Sequence, residues 1–184
     1  MKLVIHASNI SGGGASRLVS DLLPEIERNS FFDVHKIVLP EKGDLASYQS
    51  HSETIKLYNY KRTLPNAFSR FFEIMFFCPK LSRDESLLVL GDLPFKTKSK
   101  QLLYFHNARI LADSRSNFGG LIQRVNDSIK LFIARKLFSK NLKYVDYVIV
   151  QTDLMRRRFL ENNPLFKGKV IVILPAVTHS SATA

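Results

Sequence analysis

Lys2-Leu3-Val4-Ile5-His6-Ala7-Ser8-Asn9-Ile10-Ser11-Gly12-Gly13-Gly14-Ala15-Ser16-Arg17 opens the chain and decides its fold. A short apolar run, Leu3 to Ile5, leads through small and polar residues into three consecutive glycines, and a helical pattern follows. That is strand, glycine loop, helix. Glycine lets the backbone take positive φ and lets a ligand come close. The helix behind it points N–H groups and a partial positive charge at the loop. Together these favour an anionic group such as a phosphate. The plainer alternative is a tight strand-to-helix turn without a ligand. Two standard phosphate motifs fail. A Walker A loop ends in Gly-Lys-Ser/Thr, whereas Ala15 and Ser16 follow Gly14. A dinucleotide fingerprint needs a third glycine for close helix–sheet packing, and Arg17 stands there.

Outward from this stretch, apolar runs and helical patterns alternate. Strands are expected at about 2–7, 34–39, 54–58, 86–90, 101–105, 144–150 and 170–174. The first helix starts near Ala15, and Pro24 should kink or end it. The clearest helix runs from Phe118 to Phe138, with Ile129, Phe132, Ile133 and Leu137 on its expected buried face. A short helix covers Asp153 to Glu161. Leu64 to Phe77 holds five phenylalanines between Pro65 and Pro79. It reads as a mostly apolar helix, either buried or dipping into a membrane interface. Lys96, Lys98 and Lys100 mark a solvated loop, and 178–184 a small, polar, disordered tail after a single domain over 1–177.

Continuous apolar strands alternating with helices predict an α/β, Rossmann-like, mostly parallel sheet of six to seven strands with helices on both faces. Right-handed crossovers bring the C-terminal ends of parallel strands to one edge, where such folds bind ligands. The glycine loop, Asp92, His106 and Thr152 fall on that edge.

The chain has 184 residues, one cysteine (Cys78) and a net charge of +11. One cysteine excludes an internal disulfide, and no run approaches the ~20 apolar residues of a membrane span. The N-terminal apolar run is too short for a signal peptide, so the cytoplasm is the default location. The charge suits an anionic partner: a membrane surface, a phosphorylated substrate or nucleic acid. The histidines lack metal-ligand spacing. There is no Gly-x-Ser-x-Gly elbow, and the aromatic motifs of RNA-binding folds are absent, which disfavours nucleic acid.

The chemistry-bearing candidates stand at strand ends. His106 follows the run Leu102 to Phe105 and is either a hydrogen-bonded structural residue or a functional one. Arg109 could bind an anion bidentately. Asp92 could act as a base, hold an acceptor hydroxyl, or simply turn the chain after Gly91. Asn9 could contact a ligand or shape the loop.

The order of these segments resembles the N-terminal domain of GT-B retaining glycosyltransferases of the large bacterial polysaccharide and lipid-glycan family. Four stretches carry the likeness: the opening strand with Gly12-Gly13-Gly14, Tyr104-Phe105-His106-Asn107, Val145 to Thr152, and Lys169 to Pro175. The resemblance implies a two-domain enzyme whose N-terminal domain binds the acceptor. It places the histidine at position 106 near the acceptor or the transferred sugar; with Asp92 at the same edge, His106 and Asp92 are the expected catalytic residues. Gly12, Gly13, Gly14, Asn9, Asn107, Arg109 and Thr152 would bind substrate. No metal or other cofactor is implied; the nucleotide-sugar is a donor substrate. The partners implied are a glycan or lipid-linked acceptor, an anionic membrane surface on the inner face of the plasma membrane, and a separate donor-binding domain.

The sequence also departs from the family. Ala176 and Val177 follow Pro175 where the family has Asn-Gly, and no glutamate pair seven residues apart follows. The expectation is therefore an acceptor-binding half, truncated, excised or split, that is inactive alone. A stand-alone Rossmann-like binding module and a basic peripheral-membrane or nucleic-acid-binding protein are the alternatives.

Overall fold

The computed structural model describes residues 2–10, 13–61, 81–82, 84–91, 93–106 and 121–173, with backbone only over 121–127. Gly12, Asp92, Asn107, Arg109, the phenylalanine-rich stretch 64–77 and the tail 178–184 lie outside the described residues. Seven strands form one sheet: β1 (Lys2–His6), β2 (Asp33–Pro40), β3 (Lys56–Tyr60), β4 (Glu85–Val89), β5 (Gln101–Tyr104), β6 (Tyr147–Val150) and β7 (Lys169–Val172). Every pairing is parallel, in the order β3-β2-β1-β4-β5-β6-β7. The fold is an α/β Rossmann-like sheet. Its strand order reverses between β1 and β4, which makes their C-terminal ends the switch point.

Each face of the sheet carries its own core. Helix α1 (Gly14–Arg28) packs Val19, Leu23 and Ile26 on Leu3, Ile5, Ile37, Leu39, Leu88 and Leu90. Helices α2 (Leu121–Asn141) and α3 (Asp153–Asn162) cover the opposite face with Leu137, Phe138 and Phe159. The Phe105 ring lies 5.3 Å from Phe138 and 6.1 Å from Phe159, and these two rings are themselves 6.1 Å apart. That aromatic cluster locks α2, α3 and β5 together. Full burial of each such side chain stabilises the fold by about 1.5–3 kcal/mol.

A register shift between Leu3 and Val4 makes His35 an extra residue in β2. One inserted residue reverses the side-chain alternation. Val34, Ile37 and Leu39 therefore all reach the α1-side core despite their mixed spacing.

Three expectations are corrected. Of the kink or end expected at Pro24, the end does not occur, because α1 continues to Arg28. Burial of Leu23 and Ile26 on either side of Pro24 offsets the backbone hydrogen bond it cannot make. Leu142–Tyr144 forms a 3-10 turn, so β6 begins at Tyr147. Most consequentially, α2 buries only part of the face its apolar spacing suggests: Leu137 is in the core and Ile133 packs against it. It turns Leu137, Phe138 and Asn141 inward and leaves Ile129 54% and Phe132 62% exposed. The large Phe138 ring fits the space between Phe105 and Phe159, and seating it rotates the Ile129–Phe132 stripe to solvent.

The link from β4 to β5 has no helix among its described residues. Lys96, Lys98 and Lys100 are exposed as expected, but Leu93, Pro94 and Phe95 are buried. The buried Gln101 amide holds them. It accepts from the Phe95 N–H at 2.8 Å and donates to the carbonyls of Phe95 (3.0 Å) and Tyr144 (3.1 Å). Asn141 Nδ2 donates to the Pro94 carbonyl at 2.9 Å. Asp146 ties the same region together: its carboxylate accepts from the Gln101 N–H at 2.8 Å, and its carbonyl from the Lys169 N–H at 2.9 Å.

Candidate functional site

The site forms at the C-terminal edge of the sheet, beginning at the switch point. Pairing between β1 and β4 continues to that edge, where the Leu90 N–H donates to the His6 carbonyl at 2.9 Å. The Ala7 N–H donates to Val38 at 2.8 Å on the other side. The chain then turns, with Ile10 N–H donating to Ala7 at 3.0 Å. His6 and Ser8 are buried polar residues here. The His6 ring meets Phe95 edge-on at 4.5 Å, so the anchored β4–β5 link forms part of the wall. Asn9 lies against Gly91. A β-carbon at position 91 would overlap the Asn9 amide, so glycine at the end of β4 makes room for that side chain.

Gly13 precedes α1 with φ of +73°, a conformation glycine adopts at little cost. Its carbonyl accepts from the Ser16 and Arg17 N–H groups at 3.2 and 3.3 Å, and no side chain caps the helix. A β-carbon built on Gly13 or Gly14 would meet nothing within 4 Å, so these two glycines face open space. One feature opposes a strongly bound phosphate. The buried Ser16 hydroxyl donates to Asp44 Oδ2 at 2.6 Å, which sets a carboxylate beside the first turn of α1. A second anion there meets like charge.

On the next strands, His106 is half-buried two residues beyond β5. Its ring lies 6.4 Å from that of Tyr104, whose hydroxyl accepts from Gln151 Nε2 at 3.1 Å. Tyr104, His106 and Gln151 thus gather polar groups at the ends of β5 and β6. Thr152 caps α3, its Oγ1 accepting from the Met155 N–H at 3.1 Å, so part of its hydroxyl's capacity serves the helix.

Of the residues expected to form the site, the described ones, Asn9, Gly13, Gly14, His106 and Thr152, all stand on this edge. Gly12, Asp92, Asn107 and Arg109 are not among the described residues. Sequence reasoning missed His6, Phe95, Tyr104 and Gln151. A polar residue closing an apolar strand run was the available signal for His6. Nothing local marked Phe95, because its place depends on the Gln101 clamp.

The protonation shifts the fold imposes lie elsewhere. At the opposite edge, the Ser82 backbone N–H, 2.6 Å away, holds the Glu85 carboxyl below its usual range. The Ser82 hydroxyl and His35 act in the same direction, with His35 Nε2 at 2.7 Å from Glu85 Oε1. Burial, followed by the Glu27 carboxylate at 2.8 Å, pushes the Tyr48 phenol well above its ordinary value. Among the described residues, no three His, Cys, Asp or Glu side chains group as metal ligands. Among them also, no helix is long and apolar enough to cross a membrane.

No family model, curated protein or solved structure matches this chain.

Proposed function

We propose that this chain is the acceptor-binding domain of a retaining GT-B glycosyltransferase, acting on a glycan or lipid-linked acceptor while a second domain holds most of the nucleotide-sugar. One observation carries the proposal: the strand order 3-2-1-4-5-6-7 has its switch point at the edge where Asn9 lies against Gly91 and Gly13 opens α1, with His106 just beyond the adjacent strand β5. Hydrogen-bonding groups such as Asn9, Tyr104, Gln151 and His106 suit sugar hydroxyls, which need both donors and acceptors. Asp44 beside the loop fits a shared cleft better than a self-sufficient phosphate site. The domain would bind and orient the acceptor, converting a bimolecular step into a positioned one. Stabilising the charge that develops in the transition state would need both walls of the cleft.

A transfer assay with nucleotide-sugars and lipid-linked oligosaccharide acceptors tests this. It is run on the chain alone and on the chain co-expressed with a donor-binding domain. Transfer only in the second case, lost in His106→Ala, is the expected result. Turnover by the 184-residue chain alone would refute the division of labour. Failure of the chain to bind any acceptor saturably would refute the assignment itself.

A further inference from the structure

The sheet ends in β3 on one side and β7 on the other, and the two edges are not alike. Edge strands are usually blunted by charge, proline, a bulge or a covering segment. β3 accompanies its exposed Leu57 and Tyr58 with exposed Lys56 and Asn59. Lys36 Nζ lies 5.7 Å from the centre of the Tyr58 ring, and Asn59 Nδ2 donates to the Ala46 carbonyl at 3.4 Å. β7 has no proline and no register shift. After Lys169 its exposed side chains are Ile171 (41%) and Ile173 (51%), both on one face of the sheet. Val170 and Val172 point the other way, against the core that contains Phe159 of α3.

The backbone follows the same alternation. The Lys169 and Ile173 N–H groups donate to the Asp146 and Val150 carbonyls, each at 2.9 Å, so odd-numbered residues face β6. The N–H and C=O groups of Val170 and Val172 therefore face outward, where no described strand pairs with them. Such a row is completed by another extended chain. The surroundings are basic: residues 153–169 hold five Lys and Arg against two Asp and Glu. Arg156, Arg157, Arg158, Lys167 and Lys169 are all exposed.

We infer that the outer edge of β7 is a docking site for an extended acidic segment of another protein, added to the sheet as a further strand. The inference does not rest on glycosyl transfer. Apolar residues at every second position of that segment would lie beside Ile171 and Ile173. The acidic residues between them fall on the sheet face that carries α3 and its arginines. A second copy of the chain would bring like charges together. A nucleic acid has no amide row to complete the ladder.

The test is fluorescence anisotropy of a labelled peptide of about eight residues, alternating Glu and Val, titrated with the full chain. Saturable binding that weakens with salt is expected, and a Lys-Val peptide should not bind. N-methylation of alternate peptide residues removes the hydrogen bonds of one peptide edge. Methylation of one set, Glu or Val, should abolish binding, and methylation of the other should not. Val172→Pro deletes an outward N–H and spares the bonds to β6. Ile171→Glu places a carboxylate on the edge at an exposed position, so it should melt with the parent. Each variant should lower affinity about tenfold or more. The inference fails if the Glu-Val peptide does not bind saturably, if the Lys-Val peptide binds equally, if both methylated peptides bind alike, or if both variants bind as the parent does. A concentration-dependent dimer that Val172→Pro abolishes, without peptide binding, would assign the edge to a second copy instead.

Discussion

Gln101→Met tests the device that shapes one wall of the site. Methionine matches the length and flexibility of glutamine but removes all three hydrogen bonds of the amide. The Phe95 N–H and C=O are then stranded in a buried setting, while the Tyr144 carbonyl can be reached by water. A buried backbone group left without a partner costs about 1–3 kcal/mol. Two such groups on one residue, partly relieved together, set the loss at about 3 kcal/mol. With a urea m-value of about 2 kcal/mol/M, the midpoint of unfolding should fall by about 1.5 M at unchanged slope. Gln101→Glu separates hydrogen bonding from packing. A buried carboxylate takes up a proton more readily folded than unfolded, and the neutral acid can donate one bond again. Its deficit should therefore narrow as pH falls, whereas that of Gln101→Met should not. A midpoint shift below about 0.5 M for Gln101→Met would refute the clamp as the element holding Leu93 to Phe95 in place.

Gly168→Ala should be harmful although its φ is ordinary. A β-carbon there would sit 2.5 Å from the Asp146 carbonyl and 2.9 Å from that of Val145, both backbone atoms, and would press on the Phe166 ring. Calorimetry should show a loss of about 2 kcal/mol, or about 5 °C in melting temperature; a neutral substitution would mean β7 can shift at no cost. Glu85 carries a pH signature. Its folded carboxyl lies below the unfolded value, so its contribution is complete above the unfolded pKa and disappears as pH falls through the folded one. The stability gap between the parent and Glu85→Gln should therefore be constant above the unfolded carboxyl's pKa and narrow as pH falls below it, and a gap that stays constant in acid would sink the assignment. Finally, in alkaline spectrophotometric titration one of the six tyrosines, Tyr48, should ionise after the others. Glu27→Gln should bring it only part of the way back, because burial is the larger cause. A single common titration of all six would contradict the Tyr48–Glu27 contact.

Much of the fold was legible because its signals are local. Leu3 to Ile5, Leu87 to Leu90 and Val148 to Val150 are continuous apolar runs, and only a strand covered on both faces uses such runs throughout. A polar residue after an apolar run marked the sheet edge at His106. A glycine run before a helix marked the turn at Gly13. The misreadings came where local signals conflict. Helix α2 has more apolar residues than one face can hold, so periodicity picked out Leu137 and Ile133 but also the exposed Ile129 and Phe132. Pro24 obeys a local rule that burial of its neighbours overrides.

By itself, then, the chain's pattern of apolar runs, glycines and helical spacing determined an α/β parallel sheet with the candidate site residues at one edge. Those features depend on neighbours a few residues apart, where backbone sterics and side-chain periodicity act. Only the tertiary structure decided the strand order, the extra residue at His35, the fit of Asn9 against Gly91, the Gln101 clamp and the outward stripe of α2. Each of these depends on groups far apart in sequence competing for the same space or the same hydrogen bond, and that competition is resolved only when the sheet closes.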